Sequence, residues 1–161
     1  MNDLYVLLGG NLGNREENLA NAISMLREKV GTIEDLSFTY ETAAWGKTDQ
    51  PDFLNQAVKI KPYKTEPINI LTDILQIELD LGRQRIEHWG ARVIDIDILL
   101  LGDEIVNSQR LTIPHPQLQH RKFALIPLND IASDVVHPVL KKTISELLVL
   151  CIDSLEVRRK E

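Results

Sequence analysis

Hydrophobic and polar positions divide the chain into alternating strands and helices. Residues 4–8, Leu-Tyr-Val-Leu-Leu, form an apolar run that predicts a buried strand, closed by the turn residues Gly9-Gly10-Asn11-Leu12-Gly13, which tolerate positive φ. From about Arg15 to Val30 the period becomes helical: Leu19, Ile23, Leu26 and Val30 share a face. Asn14 is the expected N-cap, Glu17 stands in capping-box position, and Gly31 ends the helix. Residues 33–42 and 53–61 predict two further strands, joined by a loop over 43–52 into a long hairpin. A second helix is expected from Glu66 to Leu81, with Thr65 as N-cap, Pro67 in its first turn and Ile68, Leu71, Ile74, Leu75 and Leu81 on its apolar face. Downstream, 104–112 predicts a short hairpin, 117–123 a helical turn, and 123–131 a mostly apolar segment. Thr143 and Glu146 frame a capping box for a short helix, and 157–161 reads as a frayed tail.

The stretch Val93–Leu101 organises the rest. Its branched residues and its length favour a strand, predicted to be central because both faces are apolar from Leu99 onward. Alternation places Asp95 and Asp97 on one face and Ile94, Ile96, Ile98 and Leu100 on the other. Two carboxylates roughly 7 Å apart beside an apolar layer repel each other and lose hydration, which favours a positive charge between them. A hard divalent cation suits the pair, because Mg²⁺ accepts one or two carboxylates and completes its shell with water and phosphate. On spacing alone, an edge strand with two solvated or salt-bridged acids fits equally well. Glu78 falls near the middle of the second helix's apolar face, so it is either hydrogen-bonded structurally or turned toward a site. Residues 82–92 carry three arginines, a tryptophan and two glycines just ahead of the acidic strand. A loop of that kind can close over a ligand and bring forked donors to phosphate, or it can be a solvated surface loop. His115, between two prolines, fits a packed turn or a ligand.

Composition narrows the partners. A chain of 161 residues that is 43% hydrophobic suits one globular domain over 1–161. A net charge of −6 argues against nucleic acid as main partner, so any bound anion needs a local cluster of cations. Cys151, the single cysteine, follows Leu147-Leu148-Val149-Leu150 and is expected to be a buried structural thiol rather than a nucleophile, in a reducing compartment. No run reaches the roughly 18 apolar residues of a membrane span, and Met1-Asn2-Asp3-Leu4 does not begin like a signal peptide. The expected location is cytoplasmic, with no membrane partner.

Four separated motifs, taken together, resemble the 6-hydroxymethyl-7,8-dihydropterin pyrophosphokinases over nearly the whole chain. They are Gly-Gly-Asn-Leu-Gly at 9–13, Gln-Pro-Asp-Phe-Leu-Asn at 50–55, Trp-Gly-Ala-Arg-Val-Ile-Asp-Ile-Asp-Ile at 89–98 and Arg-Leu-Thr-Ile-Pro-His at 110–115. The resemblance implies an α+β, ferredoxin-like, mainly antiparallel sheet with helices on both faces. It also implies transfer of pyrophosphate from ATP to the pterin's hydroxymethyl oxygen, with release of AMP, by a monomer acting on small molecules. Asp95 and Asp97 would bind two Mg²⁺ ions, and Arg83, Arg85 and Arg92 would meet phosphate. Glu78, Trp89, Ile98, Arg110, Thr112, His115 and Arg121 fall on positions that the family uses around ATP. Phe53 and Phe123 match the rings that sandwich the pterin, although without the family they would read as core aromatics. Asn55 matches the side chain that reads its amide edge, with Thr42, Ala43, Trp45 and Trp89 around it. The chain departs from the family pattern in lacking the proline usual between Thr42 and Gly46, and at Gly10, Trp45, Leu75 and Pro116. A nucleotide-sensing module and a generic phosphohydrolase are the competing classes; the paired acids speak against the first, and Phe53, Asn55 and Phe123 against the second.

Overall fold

The first apolar run folds as β1 (Leu4–Gly10), which is paired on both sides and has all seven of its residues buried. The computed structural model describes residues 2–43, 51–82 and 93–160. In chain order the further elements are α1 (Arg15–Lys29), β2 (Gly31–Leu36), β3 (Tyr40–Thr42), β4 (Phe53–Pro62), α2 (Pro67–Asp80) and β5 (Asp95–Leu101). They continue with β6 (Val106–Asn107), β7 (Thr112–Ile113), a 3₁₀ turn (Leu118–His120), α3 (Lys122–Ala132), α4 (Ile144–Leu150) and β8 (Val157–Arg159). The main sheet is antiparallel in the order β5-β1-β4-β3-β8, and β2 also pairs with β4.

Helices cover both faces of this sheet, as expected. On one face Val6, Leu8, Ile96 and Ile98 pack with Leu19 and Leu26 of α1 and Ile70, Ile74 and Ile77 of α2. On the other, Tyr5 and Leu7 pack with Leu125 and Leu128 of α3 and Ile144 and Leu147 of α4. Alternation along β1 thus feeds two cores, with each fully buried Leu or Ile worth about 1.5–3 kcal/mol. Capping follows the sequence at two helices. The Asn14 side chain accepts the Glu17 N–H at the start of α1, and the Thr143/Glu146 capping box is complete at α4.

Several expectations are corrected. The strand predicted over 33–42 is two strands, because Ser37 takes over the ladder between them. Its Oγ accepts the Ala57 N–H (2.8 Å), and its backbone carbonyl accepts from the Gln56 side chain (2.9 Å). The N-cap of α2 is Glu66 rather than Thr65: a residue before proline is driven out of the helical region, and Glu66 has ψ 120°. The buried stripe of α2 is Ile70, Ile74, Ile77 and Glu78, while Ile68 is exposed; with apolar residues all round the helix, sheet contact chose the face. The apolar segment after Phe123 is the helix α3, whose burial outweighs the local cost of Pro127 inside it.

β5 is the terminal strand of the path, not a central one; among the described residues it pairs with β1 alone. Its other edge is occupied by side-chain and loop groups: Glu78 accepts the Ile96 N–H (2.8 Å), and the His115 N–H donates to the Leu99 carbonyl (3.0 Å). A bulge also breaks the predicted alternation. Tyr5 pairs with Leu100 and Val6 with Ile98, so Leu99 and Leu100 both join the α3/α4 core instead of Leu100 following Ile98. Finally, 157–159 is no frayed tail but β8, paired with β3.

Candidate active site

One row of the sheet gathers the polar groups. Gly9 pairs with Asp95 on one side and with Asn55 on the other, and Tyr40 continues the row. Asp97 lies two residues further along β5, opposite Leu7, so both aspartates share the α3/α4 face, as the alternation predicts. Asp95 is half-buried and Asp97 exposed.

Two cavities open at this end of the sheet. The first, of about 520 Å³, is lined by Thr42, Ala43, Phe53, Asn55, Arg121 and Phe123 together with both aspartates. Its polar groups are fixed from behind. Asn55 is 4% exposed and donates from Nδ2 to the Thr42 hydroxyl (3.1 Å). The Asn55 Oδ1 lies so close to Gly9 that a Cβ there would sit 2.8 Å from it, so Gly9 is required by close approach. Gly9 and Gly10 belong to β1, and of this turn only Gly13 has a positive φ (67°). The Gly-Asn-Leu-Gly segment also anchors the entry to β4, since Asn11 Nδ2 donates to the Pro51 carbonyl (3.1 Å). Arg15 adds a bond to the Asp52 carbonyl (3.0 Å) and an ion pair with Glu41 (2.8 Å). Across the cavity, the Arg121 guanidinium stands 5.6 Å from the centre of the Phe123 ring, within cation–π range.

The second cavity, of about 470 Å³, is lined by Glu78, Ile98, Arg110, Thr112 and His115, with Leu75 and Pro116, and again by Asp95 and Asp97. Glu78 resolves both of its alternatives at once: it is 5% exposed, holds the Ile96 N–H, and lines the cavity. Burial, aided by the nearby Arg121 charge, holds His115 below its ordinary pKa. Its Nδ1 accepts the Gln117 N–H (3.1 Å), so the neutral ring carries its proton on Nε2 and keeps a donor there. Arg121, placed by resemblance around ATP, lines the first cavity.

Trp45, Arg83, Arg85, Trp89 and Arg92 lie outside the described residues. Sequence reasoning missed Gln117, His120, Asp153 and Leu155, which also line the first cavity. For the last two a signal existed: residues 151, 153, 155 and 157 are partly buried while 152, 154 and 156 are exposed, a period of two. It was hidden because the inward set includes Asp153 and the outward set includes Ile152, which is 97% exposed.

A family model described as 7,8-dihydro-6-hydroxymethylpterin-pyrophosphokinase (HPPK) matches residues 5–133. The 2-amino-4-hydroxy-6-hydroxymethyldihydropteridine pyrophosphokinase of Aquifex aeolicus is 40% identical over 146 residues, covering 91% of this chain and 90% of that protein. The Bacillus subtilis protein of the same name is 41% identical over 137 residues, covering 84% and 81%. Among solved structures, wild-type Plasmodium falciparum HPPK-DHPS with SDX-DHP superposes with a TM-score of 0.73 at 20% identity, over 93% of this chain. The match takes in 43% of that longer chain, and what the two share is the ferredoxin-like α+β fold.

Proposed function

Because this chain belongs to the 7,8-dihydro-6-hydroxymethylpterin-pyrophosphokinase family, we propose that its two cavities divide the substrates, the reduced pterin entering the aromatic one and ATP the other. The enzyme transfers pyrophosphate from ATP to the hydroxymethyl group of 6-hydroxymethyl-7,8-dihydropterin in folate synthesis. The pterin hydroxyl oxygen attacks the β-phosphorus and gives up its proton to solvent, the bond from that phosphorus to the α-phosphate oxygen breaks, and AMP leaves.

On this reading Phe53 and Phe123 hold the heterocycle between their rings, and the buried Asn55 amide reads its edge with help from Thr42 and Ala43. Trp45 and Trp89 complete the pterin side by resemblance. ATP lies along Glu78, Ile98, Arg110, Thr112 and His115, the last offering its Nε2 donor. Arg83, Arg85 and Arg92 would supply forked donors to the phosphates, and Arg121 would stand where the two substrates meet. Positioning two reactants on one rigid sheet edge supplies much of the rate enhancement in such a transfer.

Asp95 and Asp97 are the residues that would hold two Mg²⁺ ions. Their donor set fits: both carboxylates line the two cavities, where a ligand phosphate can complete the shell. Two hard carboxylates that leave positions for water and phosphate suit magnesium rather than a closed structural site. Bound there, magnesium would neutralise charge on the transferring phosphates. We further read residues 1–161 as one domain acting as a cytoplasmic monomer on small molecules, with no nucleic-acid or membrane partner. Both cavities are built within one chain, the net charge is −6, and no described helix is long and apolar enough to cross a membrane.

The observation that carries this reading is that Asp95 and Asp97 line both cavities, so each cavity has the same two carboxylates in its wall. Incubation with Mg²⁺, ATP and the reduced pterin tests it. AMP should form only when the pterin is present; inorganic phosphate released without pterin would overturn it.

A further inference from the structure

The match to the family model ends at residue 133, yet the aromatic cavity is walled in part by residues 153 and 155. The segment after α4 is extended, with alternate residues from 151 to 157 turned inward, and it ends as β8 along the free side of β3. Val157 pairs with Thr42, which brings Leu155 to the mouth of the cavity beside Thr42 and Ala43.

Two bonds from this segment reach the two aromatic rings through their neighbours in sequence. Asp153 Oδ2 accepts the N–H of Lys122 (3.1 Å), the first residue of α3 and the one before Phe123. No side chain at Arg121 caps that helix, so Asp153 supplies the cap from 31 residues away. The other carboxylate oxygen accepts the Leu155 N–H (3.0 Å). At the far end, Arg158 is paired with Asp52 (2.9 Å), the residue before Phe53. Arg159 lies over the Phe38 ring at 4.5 Å, and the Lys160 N–H donates to the Thr39 carbonyl (2.9 Å). Phe53 and Phe123 belong to different layers, a strand and a helix, and their separation decides whether a flat ring fits between them.

We propose that residues 153–160 form a strap that sets the width of the pterin slot. Leu155 is a specificity-determining wall of that slot, and Asp153 is a positioning residue that fixes the start of α3 and with it Phe123. The exposed Arg158–Asp52 pair contributes less than the Asp153 bonds, since surface ion pairs are weak and a carboxylate on backbone N–H groups is charge-assisted. This inference rests on the placement of the pterin in the aromatic cavity.

Steady-state kinetics with Mg²⁺ and ATP, and pterin binding measured with Mg²⁺ and a nonhydrolysable ATP analogue, test it on the full chain. Asp153→Ala should raise KM and Kd for the pterin at least about tenfold, with KM for ATP within about twofold and kcat within about threefold. Asp153→Asn should recover pterin affinity to within about threefold, because its amide oxygen still accepts a backbone N–H. Leu155→Ala should raise the pterin constants about fivefold at unchanged Tm, and Ile152→Ala, on the outward side, should match wild type. Wild-type pterin constants in both Asp153→Ala and Leu155→Ala, or equal losses for ATP and pterin in Asp153→Ala, would overturn the proposal. Should Asp153→Ala fail to fold, Leu155→Ala decides alone. Phe53→Ala separates the premise from the inference: if it leaves pterin affinity intact, the slot itself is misplaced, whereas weakened binding there with wild-type strap variants rejects the strap alone.

Discussion

The two cavities that meet at Asp95 and Asp97 are built in opposite ways. The aromatic one is held from behind: Asn55 and Thr42 are buried and bonded to each other, Gly9 leaves room for the Asn55 carbonyl, and Asn11 and Arg15 hold the approach to Phe53. The other is walled by Arg110, Thr112 and His115 on and around the short β6/β7 hairpin, with Glu78 as its one deeply buried polar group among the described residues. A rigid, flat heterocycle gains most from a preorganised slot, because shape and a few fixed hydrogen bonds are all that distinguish it. A triphosphate is flexible and highly charged, so cations placed along its path matter more than an exact wall.

That contrast can be broken at several points. The largest effect belongs to the shared acids: Asp97→Ala should lower kcat by about a thousandfold or more while changing Tm little, since the side chain is exposed. Activity within tenfold of wild type would show that the cavities do not meet there. Next comes the preformed slot. Gly9→Ala should displace the Asn55 side chain and raise KM for the pterin about tenfold, well beyond any change for ATP. Equal changes for both substrates would remove the distinction between the cavities. On the charged side, Arg110→Ala should raise KM for ATP by about threefold to tenfold, lose much of that effect in high salt, and leave the pterin alone.

The smallest effect is on stability. Burial lowers the pKa of both His115 and His137 from the ordinary 6.5. The unfolded chain therefore binds more protons than the folded one below about pH 6.5, and folding stability falls as pH drops through that region. His137 is a clean probe, because it lies away from both cavities and its Nδ1 accepts the N–H groups of Val139 and Leu140. His137→Asn keeps an acceptor and removes the titration, so Tm plotted against pH should flatten on the acid side; an unchanged slope would assign the acid loss elsewhere.

Much of this was legible in the letters where a local rule decides. Asn14 and Thr143 cap helices because their side chains reach N–H groups three residues on, and Asp95 and Asp97 share a face because a strand alternates. What escaped depended on partners far away in sequence. α2 is apolar on most sides, so only the sheet could select Ile70 and Ile77 over Ile68. Leu99 bulges because of its register with Tyr5 and Val6, which no periodicity within β5 reveals. Pro127 argued locally against a helix that burial then secured. The end of the chain carried charge and little apolar content, and it became β8 only because β3 offered an unpaired side.

The claim that both substrates meet at the paired acids is tested most directly by a crystal structure with Mg²⁺, a nonhydrolysable ATP analogue and the reduced pterin. The account predicts cations at roughly 2.0–2.1 Å from oxygens of Asp95 and Asp97, bridging to the phosphates, with the pterin hydroxymethyl group facing the β-phosphorus. A nucleotide bound with no cation at these carboxylates, or a pterin seated away from Phe53, Asn55 and Phe123, would contradict it.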